Sequence, residues 1–297
     1  MGKRLWIRIA AVSMMITLST VSLSFGQPRW SLRLNGGLGW LYVGDTNENL
    51  TGLADFYTEV AQAAGGSVQQ VYETFHWGQE GEGEILFRLN PRWEIGAGAG
   101  YLVSSKHDNR TQTSTPGISI DDVVSHDIKA RFVTLDLIHH LPLVKGVNLL
   151  IRGGMGYYFA GWAETGRYAE SQGAIAGYWR RWDLDTDGNS FGFHGSLGLE
   201  IPLLKRLSVL LEGFGRWARI AGLRGDGHVV RSNGSSSDVA DGTLYYFEWK
   251  DPGTGNWYAD VNLLTTSPSG ANNRDAREAA VDLTGAQVKV GLIIRLF

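Results

Sequence analysis

The sequence predicts an all-β chain, an eight-stranded antiparallel up-and-down transmembrane β-barrel with long extracellular loops. Three observations lead there. Eight segments alternate apolar with polar or small residues at period two, the signature of half-buried strands. They run about 30–43, 82–89, 92–103, 128–141, 147–159, 190–201, 206–218 and 286–297. Tight turns and long polar stretches alternate strictly between them, and aromatic residues gather at strand ends. The composition is compatible: 297 residues at 43% hydrophobic can bury a core, which excludes global disorder. The absence of Cys excludes a disulfide scaffold, a thiolate zinc site, a cysteine nucleophile and a lipid-modified N-terminal cysteine.

Residues 1–26 read as a secretory signal peptide, exported through Sec. Lys3, Arg4 and Arg8 form a basic start, residues 9–23 an uncharged stretch, and Ser24-Phe25-Gly26 offers small side chains at −3 and −1 of a cleavage point. The competing reading is an anchor helix, but the stretch falls short of the ~20 residues a bilayer requires. No later run approaches that length, which leaves a soluble β protein or a β-barrel. The formal charge of −3 becomes −6 once the three leader bases, unmatched by any acid there, are removed. That acidity argues against nucleic acid, whose binding needs a concentrated basic surface.

Each strand is argued from its faces. In the first, Arg33, Gly37 and Gly39 oppose Leu34, Leu38, Trp40 and Tyr42. The second sets Glu84 and Arg88 on one side, and the third sets Glu94, Gly96, Gly98 and Gly100 together. Phe132 and Asp136 mark the inner side of the fourth. In the fifth, Asn148, Arg152, Gly154 and Gly156 oppose Leu149, Ile151, Met155, Tyr157 and Phe159. The sixth opposes His194, Ser196 and Glu200 to Phe191, Phe193, Leu197 and Leu199; the seventh opposes Glu212 and Arg216 to Leu207, Val209, Leu211 and Trp217. In the last, Lys289 and Arg295 oppose Val290, Leu292, Ile294 and Leu296. Asn90-Pro91-Arg92 and the stretches 142–146 and 202–206 are the tight turns. Residues 44–81, 104–127, 160–189 and 219–285 are the long connections. A soluble sandwich has no reason to place all its long loops on one side, whereas an outer-membrane barrel does. Trp30, Trp93 and Phe297 fall at the periplasmic ends, and Trp40, Tyr42, Tyr101, Tyr157, Phe159, Phe191 and Trp217 near the outer ends, as two interfacial girdles require.

With these strands and the terminal segment Val288-Lys289-Val290-Gly291-Leu292-Ile293-Ile294-Arg295-Leu296-Phe297, the chain resembles the small outer-membrane β-barrel superfamily, the OmpA transmembrane-domain and OmpX-like porin-family proteins. The resemblance implies location in the outer membrane of a Gram-negative type of cell, with Phe297 as assembly signal. Periplasmic chaperones and the barrel-assembly machinery would be its partners in folding, with outer-membrane lipid and lipopolysaccharide around it. The chain departs from the family in that Arg295 and Lys289 share the parity of Phe297. No peptidoglycan-binding domain follows the barrel, so wall tethering is not implied.

Alternation sends inward the bases Arg33, Arg88, Arg152, Arg216, Lys289 and Arg295 and the acids Glu84, Glu94, Asp136, Glu200 and Glu212. An eight-stranded barrel is just wide enough for side chains to fill it, so a salt-bridged plug is expected and no open pore. Gly37, Gly39, Gly96, Gly98, Gly100, Gly154, Gly156 and Gly192 also point inward. They make room for Phe132, Tyr158 and Phe214, or else leave an outer cavity for OmpW-like passive uptake of small hydrophobic molecules.

Candidate chemistry is sparse. His194, Ser196 and Glu200 share a face and faintly resemble the His-x-Ser of lipid A deacylases, but Leu197 stands where those enzymes carry Asn, and an interior polar network is the plainer reading. Asp183, Asp185 and Asp187 before Gly188 suggest the first half of a calcium loop; the twelfth position is His194, and a solvated acidic loop is preferred, with no metal assigned. His139 and His140 point to opposite faces, which argues against a shared metal. In the loops, residues 51–64 read as a short helix ended by Gly65-Gly66. Tyr178-Trp179-Arg180-Arg181-Trp182 forms an aromatic-cationic cluster suited to sugar or lipopolysaccharide, or to packing over the barrel mouth. Residues 244–250 and 257–264 form a hairpin. The expected role is a non-enzymatic, cofactor-free, monomeric envelope protein acting through its loops in surface interaction or membrane integrity.

Overall fold

A computed structural model describes residues 29–144, 146–172 and 177–296. Residues 1–26, expected as a signal peptide, and Phe297 lie outside the described residues. The elements are β1(Trp30–Gly44), α1(Asp45–Ala63), β2(Ser67–Gln70), β3(Trp77–Asn90), β4(Trp93–Thr115), β5(Ile118–Pro142), β6(Asn148–Gln172), β7(Trp179–Leu204), β8(Leu207–Trp217), β9(Arg219–Ala221), β10(Arg224–Arg231), β11(Ser236–Lys250), β12(Trp257–Leu264), β13(Asn273–Glu278) and β14(Ala280–Arg295). All the strands join one antiparallel sheet. Its pairings run β1–β3–β4–β5–β6–β7–β8–β14 and return to β1, so eight strands make a closed ring without free edges.

Among the described residues the sheet holds 14 strands, not the eight expected. Of the additional six, β11 and β12 contain the hairpin expected at 244–250 and 257–264, and the other four arise from stretches read as loops. β10, β11 and β12 continue outward from β7, β13 pairs with β11, β2 with β4 and β9 with β14. The ring strands also run far beyond the alternating segments. β5 and β6 have 25 residues each and β7 has 26, which at a rise of ~3.3 Å per residue is about 80 Å of strand. One cause of the missed length is in β4, where the register shifts between Lys106 and Asn109 and Asp108 takes φ 51°. Before this bulge even-numbered residues face inward; after it Asn109, Thr111 and Thr113 do. A bulge swaps faces, and polar inward residues erase the contrast that periodicity reads.

The outer face changes along the strands. On β5, Leu137, Leu135 and Val133 are exposed, then Arg131 and Lys129; on β7, Leu199, Leu197, Phe193 and Phe191 give way to Asn189, Asp187, Asp185 and Asp183. The apolar belt thus covers only the end of the ring that carries the tight turns.

Inside, the layers alternate. An apolar floor of Leu86, Ile138, Leu150, Leu210 and Ile293 lies near the turns. Charged residues fill the middle, and a larger apolar core, including Leu102, Ile128, Trp162 and Ile220, fills the far end with Leu50 and Tyr57 of α1. The helix begins six residues earlier than residue 51. Asn47 holds its first turn to the chain ahead of β3, donating to the Phe75 carbonyl at 2.8 Å and accepting from the Phe75 amide at 3.1 Å. Asp45 accepts from Arg277 Nη2 and the Ala280 amide, both at 2.8 Å. Gly44, at φ 78°, permits the sharp entry to the helix, and a Cβ there would meet the Ala280 carbonyl at 2.6 Å.

Candidate functional site

The charged layer is assembled by period two. Facing inward, most ring strands contribute one or two ionisable side chains and β3 contributes Glu80, Glu82 and Glu84, and closure of the ring brings them together. Arg152 of β6 is the hub. Its Nη2 lies 2.9 Å from Glu82 Oε1 and 2.8 Å from Asp136 Oδ2, its Nε donates to Asp136 Oδ1 at 2.8 Å, and it also pairs with Glu84. Arg33 of β1 donates to Glu84 at 2.5 Å and stands 3.9 Å from Glu212. Lys289 reaches Glu80 at 2.6 Å and Glu82 at 3.1 Å, and its ammonium lies 3.5 Å from the Phe214 ring centre. Arg216 completes the layer by donating to Glu80 at 2.7 Å.

A second group sits nearer the turns. Glu94 is 3.3 Å from Arg88 and 2.9 Å from His140, while Glu200 pairs with Arg295 and accepts from Asn148 at 3.0 Å. Every inward base and acid expected from alternation therefore has an ionic partner here: Arg33, Arg88, Arg152, Arg216, Lys289 and Arg295 with Glu84, Glu94, Asp136, Glu200 and Glu212. Glu80, Glu82, His140 and His194 belong to the same network and were not in that set. Glu80 and Glu82 share the parity of Glu84, but the alternation around them is between Glu and Gly, which marks no apolar face, and β3 begins five residues before 82.

His194, Ser196 and Glu200 separate chemically. His194 Nε2 faces Asp136 at 2.6 Å, Ser196 donates to Glu212, and Glu200 takes Arg295. A nucleophile needs its base within hydrogen-bond reach, and these partners leave the serine on a carboxylate and the imidazole elsewhere. Among the described residues, one group of His, Asp and Glu converges closely enough for a metal ion, Glu82, Glu84 and Asp136. The Arg152 guanidinium already bonds all three.

The reading of Asp183, Asp185 and Asp187 as a solvated acidic loop is corrected. Asp183, Asp185 and Asp187 lie on an extended strand, paired on both sides with β6 and β10. Alternate residues of a strand stand ~6–7 Å apart in a row and cannot wrap an ion. The aromatic-cationic cluster is likewise strand from Trp179 on, so it splits between faces. Arg181 covers Trp179 at 5.4 Å on one side; on the other, Arg180 lies 5.0 Å from Trp182, whose Nε1 donates to Glu164 at 2.6 Å. Trp182 packs against the outer core. Tyr178 precedes the strand with its ring 6.1 Å from Tyr168.

The inward glycines are filled by neighbours. A Cβ at Gly100 would collide with the Phe132 ring, at Gly98 it would come within 2.5 Å of Glu84, and at Gly192 within 2.9 Å of Tyr158.

No family model matches the sequence, and no curated protein matches it. The fold is similar to a major outer membrane protein from Thermus thermophilus, at 12% identity and a TM-score of 0.35 over 90% of this chain and 99% of that one. It is similar to the outer membrane protein OprG from Pseudomonas aeruginosa, at 11% identity and a TM-score of 0.37 over 91% and 97%. The outer membrane protease OmpT from Escherichia coli aligns at 11% identity and a TM-score of 0.34 over 93% and 100%. Likeness at this level assigns the chain neither a family nor an activity.

Proposed function

We propose that the chain is an integral outer-membrane β-barrel whose interior is closed by salt bridges, and that it acts without catalysis, in envelope integrity or surface interaction, through the part of the sheet beyond the membrane. The observation that carries this reading is the double-faced ring: an apolar belt outside and a paired ionic layer inside. Charge on a lipid-facing side chain costs ~2–4 kcal/mol at mid-membrane, so a membrane barrel of this width must put its ions where these are. The long strands then raise β10 to β13 and α1 above the bilayer, where loops and hairpins meet lipopolysaccharide or a partner. The eight-stranded ring closes on itself, so a single copy completes it.

Uptake through a glycine-lined outer cavity has less support, because Phe132, Tyr158 and Glu84 occupy the space the glycines vacate. Conductance in a planar bilayer decides between them. The native refolded chain should be silent and Glu212→Ala should leak, since that substitution strips Arg33, Arg152 and Ser196 of a shared partner. Discrete channels from the native chain would overturn the closed interior and restore the uptake reading.

A further inference from the structure

Above the apolar belt, α1, the inner wall of the ring and strands β10 and β12 line a partly open chamber of about 180 Å³ that no part of the ionic layer reaches. It has room for about six waters at ~30 Å³ each. Besides the Tyr72 hydroxyl beside Asp122, its polar lining is short of donors. Asp122, from β5, is 3% exposed; Tyr57 donates to its Oδ2 at 2.6 Å and its Oδ1 has no partner. Glu164, from β6, is 7% exposed; Trp182 occupies its Oε1, while Oε2 stands 2.9 Å from His126 Nε2 without the alignment of a hydrogen bond. Asn49, from α1, turns an unpartnered Oδ1 to the same space. Asp260, from β12, lies at the rim beside the exposed Arg180 and Asn262, the latter donating to it at 2.8 Å.

Buried acceptors without donors are costly, and more so when charged. Here three carboxylates face one guanidinium, and that guanidinium is drawn off to the Tyr168 and Trp182 rings at 5.3 and 5.0 Å. Burial pushes the Asp122 carboxyl above its ordinary value, and burial with the nearby Glu164 charge pushes Asp260 up to about 6. In both, burial outweighs the opposing pull of the Arg180 charge. The acceptors lie on separate elements and do not converge as ligands to a metal must. Between them the walls are apolar and aromatic, with Leu50, Leu53, Val261, Tyr72 and Trp182.

We propose that this chamber is a binding site for a small organic cation carrying several N–H donors on a carbon skeleton, an alkylamine or alkylguanidinium. Its donors would take Asp122 Oδ1, Glu164 Oε2 and Asn49 Oδ1, its charge would balance the carboxylates, and its methylenes would lie on Leu50, Leu53 and the Trp182 face. The site is separate from the ionic layer and stands whether or not that layer blocks conduction.

Isothermal titration of the refolded chain tests this, with 1,4-diaminobutane and agmatine as probes and calcium chloride and glutamate as controls. At least one organic cation should bind saturably and glutamate should not. Glu164→Gln should weaken binding roughly tenfold or more, the loss of one charged hydrogen bond. Asp260→Asn, at the rim and so tolerant of change, should weaken it too and keeps the test decisive if Glu164→Gln does not fold. Heat-modifiable gel mobility checks the fold of each variant. Silence with both organic probes would mean that water alone completes the chamber. Heat from calcium alone would mean an inorganic cation site. Native affinity in both variants would place any binding elsewhere. Each of these results overturns the proposal.

Discussion

Arg152 shows how much one side chain can hold. Its guanidinium bonds carboxylates from three directions, Glu82 and Glu84 of β3 and Asp136 of β5. Arg152→Ala would leave those acids buried, adjacent and short of a cation. Removing one partner of a buried pair costs ~3–5 kcal/mol, and equilibrium urea unfolding in detergent, followed by tryptophan fluorescence, should register a loss of that size. A loss below about 1 kcal/mol would mean that the acids relieve themselves by taking protons. Arg152→Lys should recover only part, because an ammonium lacks the planar fork that meets several carboxylates at once. Asp260 makes the opposite argument. Its carboxyl is raised to about 6 from the ordinary 3.8, so the folded state holds its proton more tightly than the unfolded chain. Acidification through pH 6 towards 4 therefore favours the fold through this group, yet it removes a charge from the chamber that Glu164, Asp122, His126 and Arg180 also face. Affinity for an organic cation should fall below about pH 6 while heat-modifiability persists. Affinity unchanged down to pH 5 would remove Asp260 from the site.

Among the elements, α1 depends most on close approach. A Cβ at Gly52 would lie 2.5 Å from the Ala259 carbonyl and 2.6 Å from its amide nitrogen, so the helix rests directly on the β12 backbone. Gly52→Val should push α1 off β12. The check is chymotrypsin cleavage beside Phe56 and Tyr57: the native helix should resist and the variant should be cut, with the ring still heat-modifiable. Equal resistance would mean that β12 shifts to accommodate the helix. This element also marks where sequence stopped being legible. Its apolar side, Leu53, Phe56, Tyr57 and Val60, and its Gly65-Gly66 stop could be read from residues alone. Its first turn could not, because Asp45, Thr46 and Asn47 are polar residues whose burial depends on Arg277, Ala280 and Phe75, distant in sequence. The ring strands were legible where an apolar outer face meets a charged inner one. They were lost above the belt, where Thr111 and Thr113 face in and Asp183, Asp185 and Asp187 face out, and period two has no contrast to show. The chamber has the same opacity: Asp122 and Glu164 sit on strands in stretches read as loops, Asp260 on one arm of a hairpin whose place in the sheet the sequence does not show, and only the pairing brings them together.

For the whole molecule, the decisive quantity is what surrounds the ring at each height. A soluble closed sheet and a membrane barrel could share every hydrogen bond described here; they differ in whether Leu135 and Leu197, each 60% exposed, face lipid or water. A row of such residues around a ring would be an aggregation hazard in water, since monomeric soluble proteins rarely expose large contiguous apolar patches. The upper half, with Arg131, Lys129 and Asp185 outside, carries no such hazard. One substitution at each height separates the cases. Leu135→Arg should cost ~2–4 kcal/mol of folding free energy in lipid vesicles if the belt lies in hydrocarbon. Lys129→Gln, six residues higher on the same face of β5, should stay within about 0.5 kcal/mol, as exposed substitutions away from special features do. Measured by urea titration in vesicles, a large difference between the two sets the upper border of the membrane between Val133 and Arg131. Equal, small costs would mean that water bathes both halves, and the outer-membrane reading would fall even though the ring and its ionic layer remained.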